Sequence, residues 1–414
     1  MDEAASPYPI RPIAGDEFDA YEAVTDHAFV LSPPSDAYRA HELARLELDR
    51  CIAAFDGADP VGTATVFSFR MTVPGGQVPA AGVSWVSVLP TYRRRGIMGS
   101  LIRRQLADIG ERGEPIAALL PTETPLYGRY GYGMATRQAA FTIRRGEGAL
   151  ARDAPYDPAI RLRITTPKDA RRDMSKVYDA VRQSRPGFFG RTDVWWDRVT
   201  REPGGGYTPL NCLLAEDAAG PRGYALYAGD NRWADDDSLP DCTLTISELM
   251  AADPAAGTAL WRDVLSRDLV TEVRVQRRPA DDPLQFQLAD SRRVRAREAD
   301  GLWVRLVDVP GALTARRYSC PVDAVIEVRD ELLPGNAGRW HLQAGDEGTA
   351  SCGRTSAAAD VSLGVRELGA AYLGGIRLGA LATAGLVDEH RPGPLTRLSA
   401  AMSWDPSPWC PGTF

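Results

Sequence analysis

In the first 145 residues, apolar side chains recur at the helical period in some segments and at the strand period of two in others. This combination indicates an α/β domain. Within residues 16–29, Phe18, Tyr21, Val24 and Ala28 recur at helical spacing. Segments 41–49 and 99–111 predict two more helices. Strand-like alternation or short apolar runs predict strands at residues 8–12, 51–55, 61–73, 82–89, 116–120 and 139–143. Interleaved strands and amphipathic helices predict a sheet covered by helices.

Residues 146–158 are rich in Gly, Ala, Asp and Pro, and we interpret them as a linker. After this linker the order of predicted strands and helices repeats, with weaker sequence similarity. Both copies contain a strand, a polar break, a glycine (Gly96 or Gly257) and a helix. The arginines before Gly96 correspond to Pro254, Ala255 and Ala256 in the second copy. The predicted elements of this copy are strands at 160–164, 223–228 and 243–249, and helices at 170–182 and 257–269.

The pattern changes after about residue 290 and predicts a third, α+β domain. Two strands, a hairpin and three helices are expected at residues 302–307, 324–328, 339–343 with 349–353, 367–373, 378–386 and 395–402. The predicted domains are therefore 1–148, 149–291 and 292–414. The chain ends with Trp404, Trp409, Cys410 and Phe414. Because frayed termini seldom carry so many apolar side chains, this tail is expected to be docked.

Charge and cysteine usage exclude several classes of protein. Forty-eight basic and 55 acidic residues give a net charge of −7, which argues against a nucleic-acid partner. Six cysteines are scattered without a CxxC pair, and no histidine stands at ligand spacing, so we expect a reduced, cytoplasmic protein without a metal. The acidic N-terminus lacks the apolar core of a signal peptide, and no 18-residue apolar run predicts a membrane span.

The segment VSVLPTYRRRGIMG, residues 86–99, carries the first candidate chemistry. A strand leads through an arginine–glycine turn into a helix, whose first N–H groups and positive dipole end suit a pyrophosphate. A glycine at position 96 lets a phosphate approach the backbone, and arginines fork onto phosphate oxygens. A surface arginine cluster that merely caps the helix is the structural alternative.

This stretch resembles the coenzyme A loop of the GNAT superfamily of acetyltransferases, [QR]xxGx[GA]. Arg93 and Gly96 match the first two anchors, whereas Met98 replaces the small residue at the third. In GNAT enzymes the preceding strand splays from its neighbour and presents backbone groups to the pantetheine. The VSV strand before the arginines agrees with that arrangement.

The second segment, LYGRYGYG at residues 126–133, is more specific. A phenol where a strand passes into a loop can protonate a departing thiolate, although a single tyrosine is more often structural. Together with VSVLPTYRRRG, with DGLWVRLVDVP at residues 300–310 and with the terminal phenylalanine, it resembles the Eis (enhanced intracellular survival) family of GNAT N-acetyltransferases. The resemblance covers the whole chain. It implies two tandem GNAT-like domains, the second degenerate, and a sterol-carrier-like C-terminal domain.

The resemblance also implies the site residues and the assembly. Tyr127 would be the general acid and the α-carboxylate of Phe414 the general base. Acetyl-CoA would be the co-substrate, no metal would take part, and a homohexamer would form. The implied coenzyme contacts are Val86, Ser87, Val88, Arg94, Arg95, Gly96, Ile97, Met98, Gly99, Thr122 and Glu123, and candidate substrate-wall residues are Tyr38 and Trp85.

The expected acceptors are primary amines of aminoglycosides, polyamines or lysine side chains. Some relatives that bind aminoglycosides carry an acid next to the terminal residue, where this chain has Thr413. Two alternatives remain: a non-catalytic acyl-CoA- or lipid-binding protein, and an acetyltransferase that acts on protein lysines. Lipid binding does not follow from a sterol-carrier-like fold alone.

Overall fold

The computed structural model describes residues 7–32, 35–203, 206–230, 232–233 and 239–414. In chain order its strands are β1 (Ile10–Pro12), β2 (Cys51–Asp56), β3 (Asp59–Val73), β4 (Gly76–Val88), β5 (Ile116–Leu119), β6 (Gly133–Met134), β7 (Arg137–Arg144), β8 (Arg161–Thr165), β9 (Asn211–Asp217), β10 (Gly220–Gly229), β11 (Cys242–Ala251), β12 (Val270–Pro279), β13 (Arg297–Asp300), β14 (Trp303–Leu306), β15 (Val322–Arg329), β16 (Gly338–Ala344), β17 (Ala350–Arg354), β18 (Val361–Gly364) and β19 (Val387–Glu389).

The α-helices are α1 (Phe18–Phe29), α2 (Asp36–Arg45), α3 (Ile97–Glu111), α4 (Thr124–Tyr127), α5 (Arg171–Ser184), α6 (Asp193–Val199), α7 (Pro254–Leu265), α8 (Leu284–Gln287), α9 (Val309–Ala315), α10 (Val365–Ala371), α11 (Leu378–Thr383) and α12 (Pro394–Met402). No helix within the described residues has the length and hydropathy that a membrane span needs.

The first sheet has the strand order β1-β2-β3-β4-β5-β14-β6. Strands β3 and β4 form a long antiparallel hairpin, and β4 then pairs in parallel with β5. Helix α1 packs on one face, while α3 buries Leu101, Ile102 and Leu106 on the other. Gly62 permits the close approach of α3, because a Cβ there would lie 2.7 Å from Cγ2 of Ile97.

The second sheet repeats this layout with the order β13-β7-β12-β11-β10-β9-β8. Strands β10 and β11 are antiparallel, β11 and β12 are parallel, and β7 runs antiparallel to β12. Helix α7 follows β11 as α3 follows β4. The internal repeat expected from the sequence therefore appears as a repeated topology.

Sheet membership crosses the expected domain boundaries. Strand β7, expected within domain 1–148, belongs to the second sheet, and β14, expected within domain 292–414, lies between β5 and β6 of the first. Two compact units result. One contains the described residues up to Ala135, Leu302–Trp404 and Thr413–Phe414, and the other contains Thr136–Gly301 and Asp405–Gly412. An apolar period identifies a strand, but it carries no information about which sheet the strand joins.

The C-terminal part of the first unit contains a five-stranded sheet with the order β17-β16-β15-β18-β19. The predicted hairpin is present as β16 and β17, which pair from Trp340↔Arg354 to Ala344↔Ala350. Helix α10 packs on β14 and β6 of the first sheet. Gly369 makes this packing possible, since a Cβ there would lie 2.3 Å from the Val304 carbonyl oxygen.

Several elements differ from the expectation. The helix expected at residues 41–49 occupies Asp36–Arg45, where Ser35 caps it by accepting a hydrogen bond from the Tyr38 N–H. The helix expected at 257–269 starts earlier, with Pro254 in its first turn and Asp253 as its N-cap, and ends at Leu265. Strands β9 and β12 were not expected. In β12 only part of the residues are buried, and its charged residues hide the period of two.

Candidate active site

A gap between β4 and β5 forms the centre of the candidate site. The two strands pair only at Ala80↔Ile116, Ala81↔Ala117 and Gly82↔Ala118. Beyond Gly82, β4 continues to Val88 bonded to β3 alone, while β5 pairs with β14. The backbone of β4 that faces β5, including the predicted coenzyme residues Val86, Ser87 and Val88, is therefore open to an extended, amide-bearing ligand.

A β-bulge at Trp85 shapes this segment. Thr63 pairs with Ser87 and Thr65 with Ser84, so two residues of β4 lie opposite one residue of β3. Trp85 itself has φ 51°, and its carbonyl accepts a hydrogen bond of 2.8 Å from the Thr63 hydroxyl. The Trp85 ring packs on Phe18 and Tyr21 of α1. Trp85, a predicted substrate-wall residue, thus contributes mainly to the packing of α1.

A row of hydroxyl groups lies between α1 and the bulged strands. The hydroxyl oxygens of Thr63 and Ser87 are 2.6 Å apart, and Thr25 of α1 approaches both. Ser87 is buried within this network, so its backbone, rather than its side chain, is available to a ligand.

The start of α3 offers the expected anion-binding features. Gly96, with φ 73°, occupies the N-cap position without a side-chain cap, so the N–H groups of Ile97, Met98 and Gly99 project from the helix end. Arg94 is exposed and makes no ion pair within the described part of the chain. Together these groups fit a pyrophosphate.

The remaining residues of this loop have structural partners. Arg95 donates a hydrogen bond of 2.7 Å to the Tyr8 hydroxyl and lies over the Tyr92 ring. The Ile97 side chain is buried, and Met98 packs against the cluster that contains Tyr127. Of the predicted phosphate ligands, Arg94 therefore has the freest side chain, and Arg95 would have to exchange partners.

Tyr127 ends the single-turn helix α4, just after β5. Its side chain is 6% exposed, belongs to the buried cluster that contains Val83 and Leu119, and meets the Tyr132 ring edge to face. Burial raises the pKa of Tyr127 to about 12, and the charge of Glu123 and the phenol of Tyr130 act in the same direction. Thr122 opposes the rise by hydrogen bonding. The phenol is consequently protonated at neutral pH. Thr122 and Glu123 are exposed at the mouth of this loop.

The terminal residue lies against β4 within the same unit. One carboxylate oxygen of Phe414 accepts a hydrogen bond of 2.8 Å from the Ser84 hydroxyl. The Phe414 ring meets the Phe69 ring at 5.4 Å and 65°, and it covers Gly82, where a Cβ would lie 3.2 Å from Cδ2 of Phe414. The structure thus places the predicted carboxylate at the gap.

Phe414 and Tyr127 both lie near the part of β4 that follows Gly82. The carboxylate of Phe414 is bonded to Ser84, and Tyr127 belongs to the buried cluster that contains Val83. Ser84, Phe69 and Gly82 were not identified from the sequence. Of these three, only Gly82 could have been noticed, because a glycine inside an apolar strand often indicates that another group approaches the backbone closely.

Helix α2 contacts α1 and β3 through two of its arginines. Tyr38, a predicted substrate-wall residue, is 41% exposed on this helix. Arg39 donates to Glu22 of α1 at 2.6 Å, and Arg45, buried beside Glu42, lies over the Phe67 ring. Within the described residues, no group of three or more His, Cys, Asp and Glu side chains is arranged to hold a metal ion.

Comparisons with known proteins identify related domain families along the chain. Residues 9–135 and residues 187–306 each match an Acetyltransferase (GNAT) domain family, and residues 309–411 match the Sterol carrier protein domain family. These matches confirm the predicted fold class, with two GNAT-like domains before a sterol-carrier-like domain.

Similar proteins cover most of the chain. An uncharacterized N-acetyltransferase of Streptomyces coelicolor is 41% identical over 98% of this chain and 99% of its own. N-acetyltransferase Eis of Mycobacterium tuberculosis is 36% identical over 86% of this chain and 87% of its own. The crystal structure of Eis1 from Mycobacterium abscessus superposes with a TM-score of 0.82 at 32% identity, covering 98% of this chain and 100% of that one.

Proposed function

Because the chain belongs to the Eis family of GNAT N-acetyltransferases, we propose that it acetylates primary amines by direct transfer from acetyl-CoA in a ternary complex. The family resemblance stated from the sequence is thereby confirmed, and acetyl transfer follows from membership.

Acetyl-CoA, as the co-substrate, supplies a thioester carbonyl that an amine can attack. The open edge of β4 between Val83 and Val88 would pair with the pantetheine amides, and the first turn of α3 with Arg94 would hold the pyrophosphate. A thioester in the strand gap would lie beside Ser84, which holds the Phe414 carboxylate, and near the buried cluster that contains Tyr127.

Tyr127 is assigned the role of general acid. During transfer a C–N bond forms, the C–S bond breaks, and the departing sulfur needs a proton. The phenol can supply it because its pKa of about 12 keeps it protonated at neutral pH. The proton lost by the amine replaces the one that the phenol donates, so the enzyme returns to its starting protonation state.

The carboxylate of Phe414 is assigned the role of general base. A carboxylate is too weak a base to deprotonate an alkylammonium ion efficiently in water. It can, however, orient an amine that is already neutral, or a water that relays the proton, inside a partly dry site. The Ser84 hydrogen bond and the packing of the Phe414 ring fix that orientation.

The proposed acceptors are polyamines, aminoglycoside-like amines or lysine side chains. An anionic chain terminus beside the gap attracts a cationic amine, and the net charge of −7 favours its approach. With Thr413 in the position next to the end, Phe414 supplies the only carboxylate of the terminal dipeptide. We expect a homohexamer as well, which light scattering of the purified protein can check.

The observation that carries the proposal is the hydrogen bond between Ser84 and the Phe414 carboxylate, and a one-residue extension tests it directly. Untagged protein and protein with one glycine added after Phe414 are compared by thiol release from acetyl-CoA. The acceptor panel contains aminoglycosides, polyamines and lysine peptides. A chain with the same glycine added at its N-terminus is the matched control.

Turnover that collapses only in the C-terminally extended chain supports the carboxylate as base. Equal turnover in all three chains overturns that role while leaving acetyl transfer intact. Acetyl-CoA binding without turnover of any amine contradicts the proposed reaction and favours an acyl-CoA-binding protein. A higher kcat/KM for peptides than for small amines identifies a protein lysine acetyltransferase.

A further inference from the structure

The second GNAT-like domain retains the strand gap of the first. Strand β11 pairs in parallel with β12 only from Cys242↔Val270 to Ile246↔Val275, yet β11 continues to Ala251 along β10. A cavity of ≈ 250 Å³ lies at this point and is lined by residues of β11, α7, β12 and the C-terminal tail, including Met250, Asp253, Trp261 and Trp409. The cavity corresponds to the coenzyme cleft of the first domain.

Charged side chains of the second domain close this cleft to a coenzyme. Only Ala252 and Asp253 connect β11 to α7. The Asp253 carboxylate accepts from the Ala256 N–H at 3.0 Å and therefore occupies the helix end that a phosphate would need. Arg278 spans the strand gap, donating both to the Leu249 carbonyl and to Asp282. The backbone group that a pantetheine would use is therefore already bonded.

The C-terminal tail contributes Trp409 to the lining of this cavity. Its indole N–H donates at 2.8 Å to the carbonyl of Arg277, a residue with φ 55° at an irregularity of β12. The guanidinium of Arg278 lies 5.1 Å from the centre of the Trp409 ring, and Phe188 meets that ring edge to face. Trp409 is 4% exposed.

The backbone of the tail is also held. The Trp409 N–H donates at 2.8 Å to the Pro186 carbonyl, and the Ser407 N–H donates at 3.0 Å to Asp281. Gly187 allows this approach because a Cβ there would lie 2.8 Å from the Trp409 carbonyl oxygen. A ring and three hydrogen bonds thus fix residues 407–409 on the second domain.

We propose that the second domain has exchanged coenzyme binding for holding the C-terminal tail, and that Trp409 is a positioning residue for the Phe414 carboxylate. Only Cys410, Pro411, Gly412 and Thr413 separate the two residues. Five residues extend at most about 17 Å, so a fixed Trp409 limits the conformations open to the short segment that ends in the carboxylate. Without the anchor this segment gains conformational freedom, which disfavours the ordered contact of the carboxylate with Ser84. The inference rests on the proposed role of Phe414 as base.

Three altered chains test the proposal. Trp409→Ala removes the anchor, and Trp409→Phe keeps a ring while losing the N–H donor. Because Trp409→Ala also opens the core around Phe188, a second design inserts two glycines between Gly412 and Thr413, which keeps the anchor and lengthens the tether. Trp233→Ala, at a half-exposed tryptophan of the same domain, is the matched control.

The measurements are kcat, the KM for acetyl-CoA, and the rate at which carboxypeptidase releases Phe414. We expect kcat to fall roughly 10- to 100-fold in Trp409→Ala and in the insertion chain, with less effect in Trp409→Phe. The KM for acetyl-CoA should stay within about twofold, because a mobile tail leaves the β4 edge and the α3 terminus in place. Release of Phe414 should accelerate at least about tenfold in Trp409→Ala, as expected for a segment freed from its contacts.

Unchanged kcat and unchanged release in Trp409→Ala and in the insertion chain would overturn the anchoring role. If the glycine added after Phe414 abolishes turnover while Trp409→Ala and the insertion chain stay active, the carboxylate is the base and Trp409 does not position it. If neither kind of change lowers kcat, the proposed base itself is wrong. The two failures are therefore distinguishable.

Discussion

Tyr127 is buried in an environment that disfavours its charged form. Desolvation is the largest contribution to the raised pKa, and the nearby Glu123 carboxylate adds to it. A phenol that stays neutral over the working pH range can give its proton to a stronger base, and a thiolate formed in a dry cleft is such a base. The same environment would serve poorly for a residue that has to take up a proton.

Tyr127→Phe removes the acid and leaves the shape of the site. We expect kcat to fall by roughly 10²–10⁴, the range for loss of a general acid, while the dissociation constant of acetyl-CoA stays within a few-fold. Stopped-flow thiol release and calorimetric titration measure these two quantities. Tyr132→Phe, which alters the neighbouring buried phenol, is the matched control and should keep wild-type kcat.

The pKa of about 12 also predicts a pH profile. An acid works only while protonated, so the decline of kcat caused by ionisation of Tyr127 should begin above about pH 11. Between pH 8 and pH 10 the wild type should lose no activity through this group. A decline with a midpoint near pH 9 would contradict the assignment.

The sequence identified Tyr127 and Phe414 only through a family resemblance, and it did not identify their supports. Ser84 is one of several serines in apolar strands, and nothing in its neighbourhood marks it as a partner of a residue 330 positions later. For Phe69 the sequence pattern predicts only an ordinary core residue. Contacts of this kind depend on how separate segments meet in space, which no local period encodes.

Strand β4 organises the site at the level of secondary structure. It leaves β5 after Gly82, bulges at Trp85 and leads into the turn before α3. The turn, the glycine and the helix were evident in the sequence, because an arginine–glycine turn and a helical period are local signals. The gap was expected only from the resemblance, since strand pairing involves residues distant in sequence.

Sequence patterns predicted elements unevenly, and the reasons are physical. Helix α3 and the β16–β17 hairpin have clear periods and were expected within a few residues of their ends. Strand β12 carries Glu272, Arg274, Arg277 and Arg278 and was not expected. The placement of β7 and β14 in sheets other than those expected could not be predicted, because both are short apolar segments compatible with either sheet.

Arg94→Gln tests the turn before α3. Since Arg94 is exposed and forms no ion pair among the described residues, the thermal stability should change little. Loss of one charged hydrogen-bond donor to phosphate should raise the KM for acetyl-CoA roughly tenfold, with kcat maintained. The difference between wild type and variant should shrink at high salt.

Arg70→Gln is the matched control, since it removes an exposed arginine from β3 of the same domain. Its KM for acetyl-CoA should equal that of the wild type. An equal rise of KM in both variants would show that general charge, rather than a phosphate contact of Arg94, governs coenzyme affinity.

Within the first unit, the sterol-carrier-like part is joined to the acetyltransferase part by a buried ion pair. Arg305 of β14 donates to both carboxylate oxygens of Asp330 at 2.8 Å, and its Nε donates at 2.9 Å to the Tyr130 carbonyl. Both side chains are almost fully buried. The pair therefore links the C-terminal sheet to the loop that follows Tyr127. The order of the domains was predictable from the sequence, whereas this link was not.

The buried pair of Arg305 and Asp330 should stabilise this unit. Asp330→Asn leaves the Arg305 guanidinium as an uncompensated buried charge, which costs about 3–5 kcal/mol of unfolding free energy. Arg305→Met should have a similar effect, because the Asp330 carboxylate would retain only the N–H donors of Leu332, Leu333 and Asn336. The double variant should lose less unfolding free energy than the two single variants lose together, since neither charge is then buried without its partner.

Urea denaturation followed by fluorescence compares these variants with Asp388→Asn, which removes the exposed pair between Arg329 and Asp388 in the same sheet. The control should stay within about 0.5 kcal/mol of the wild type, because exposed pairs contribute little. Arg305 also donates a hydrogen bond to the Tyr130 carbonyl. When kcat is measured below 37 °C, well under the melting transition, it should therefore fall further in Arg305→Met than in Asp330→Asn. If Asp330→Asn is as stable as the exposed control, the buried pair does not stabilise the unit. Apolar packing alone must then hold β14 between β5 and β6.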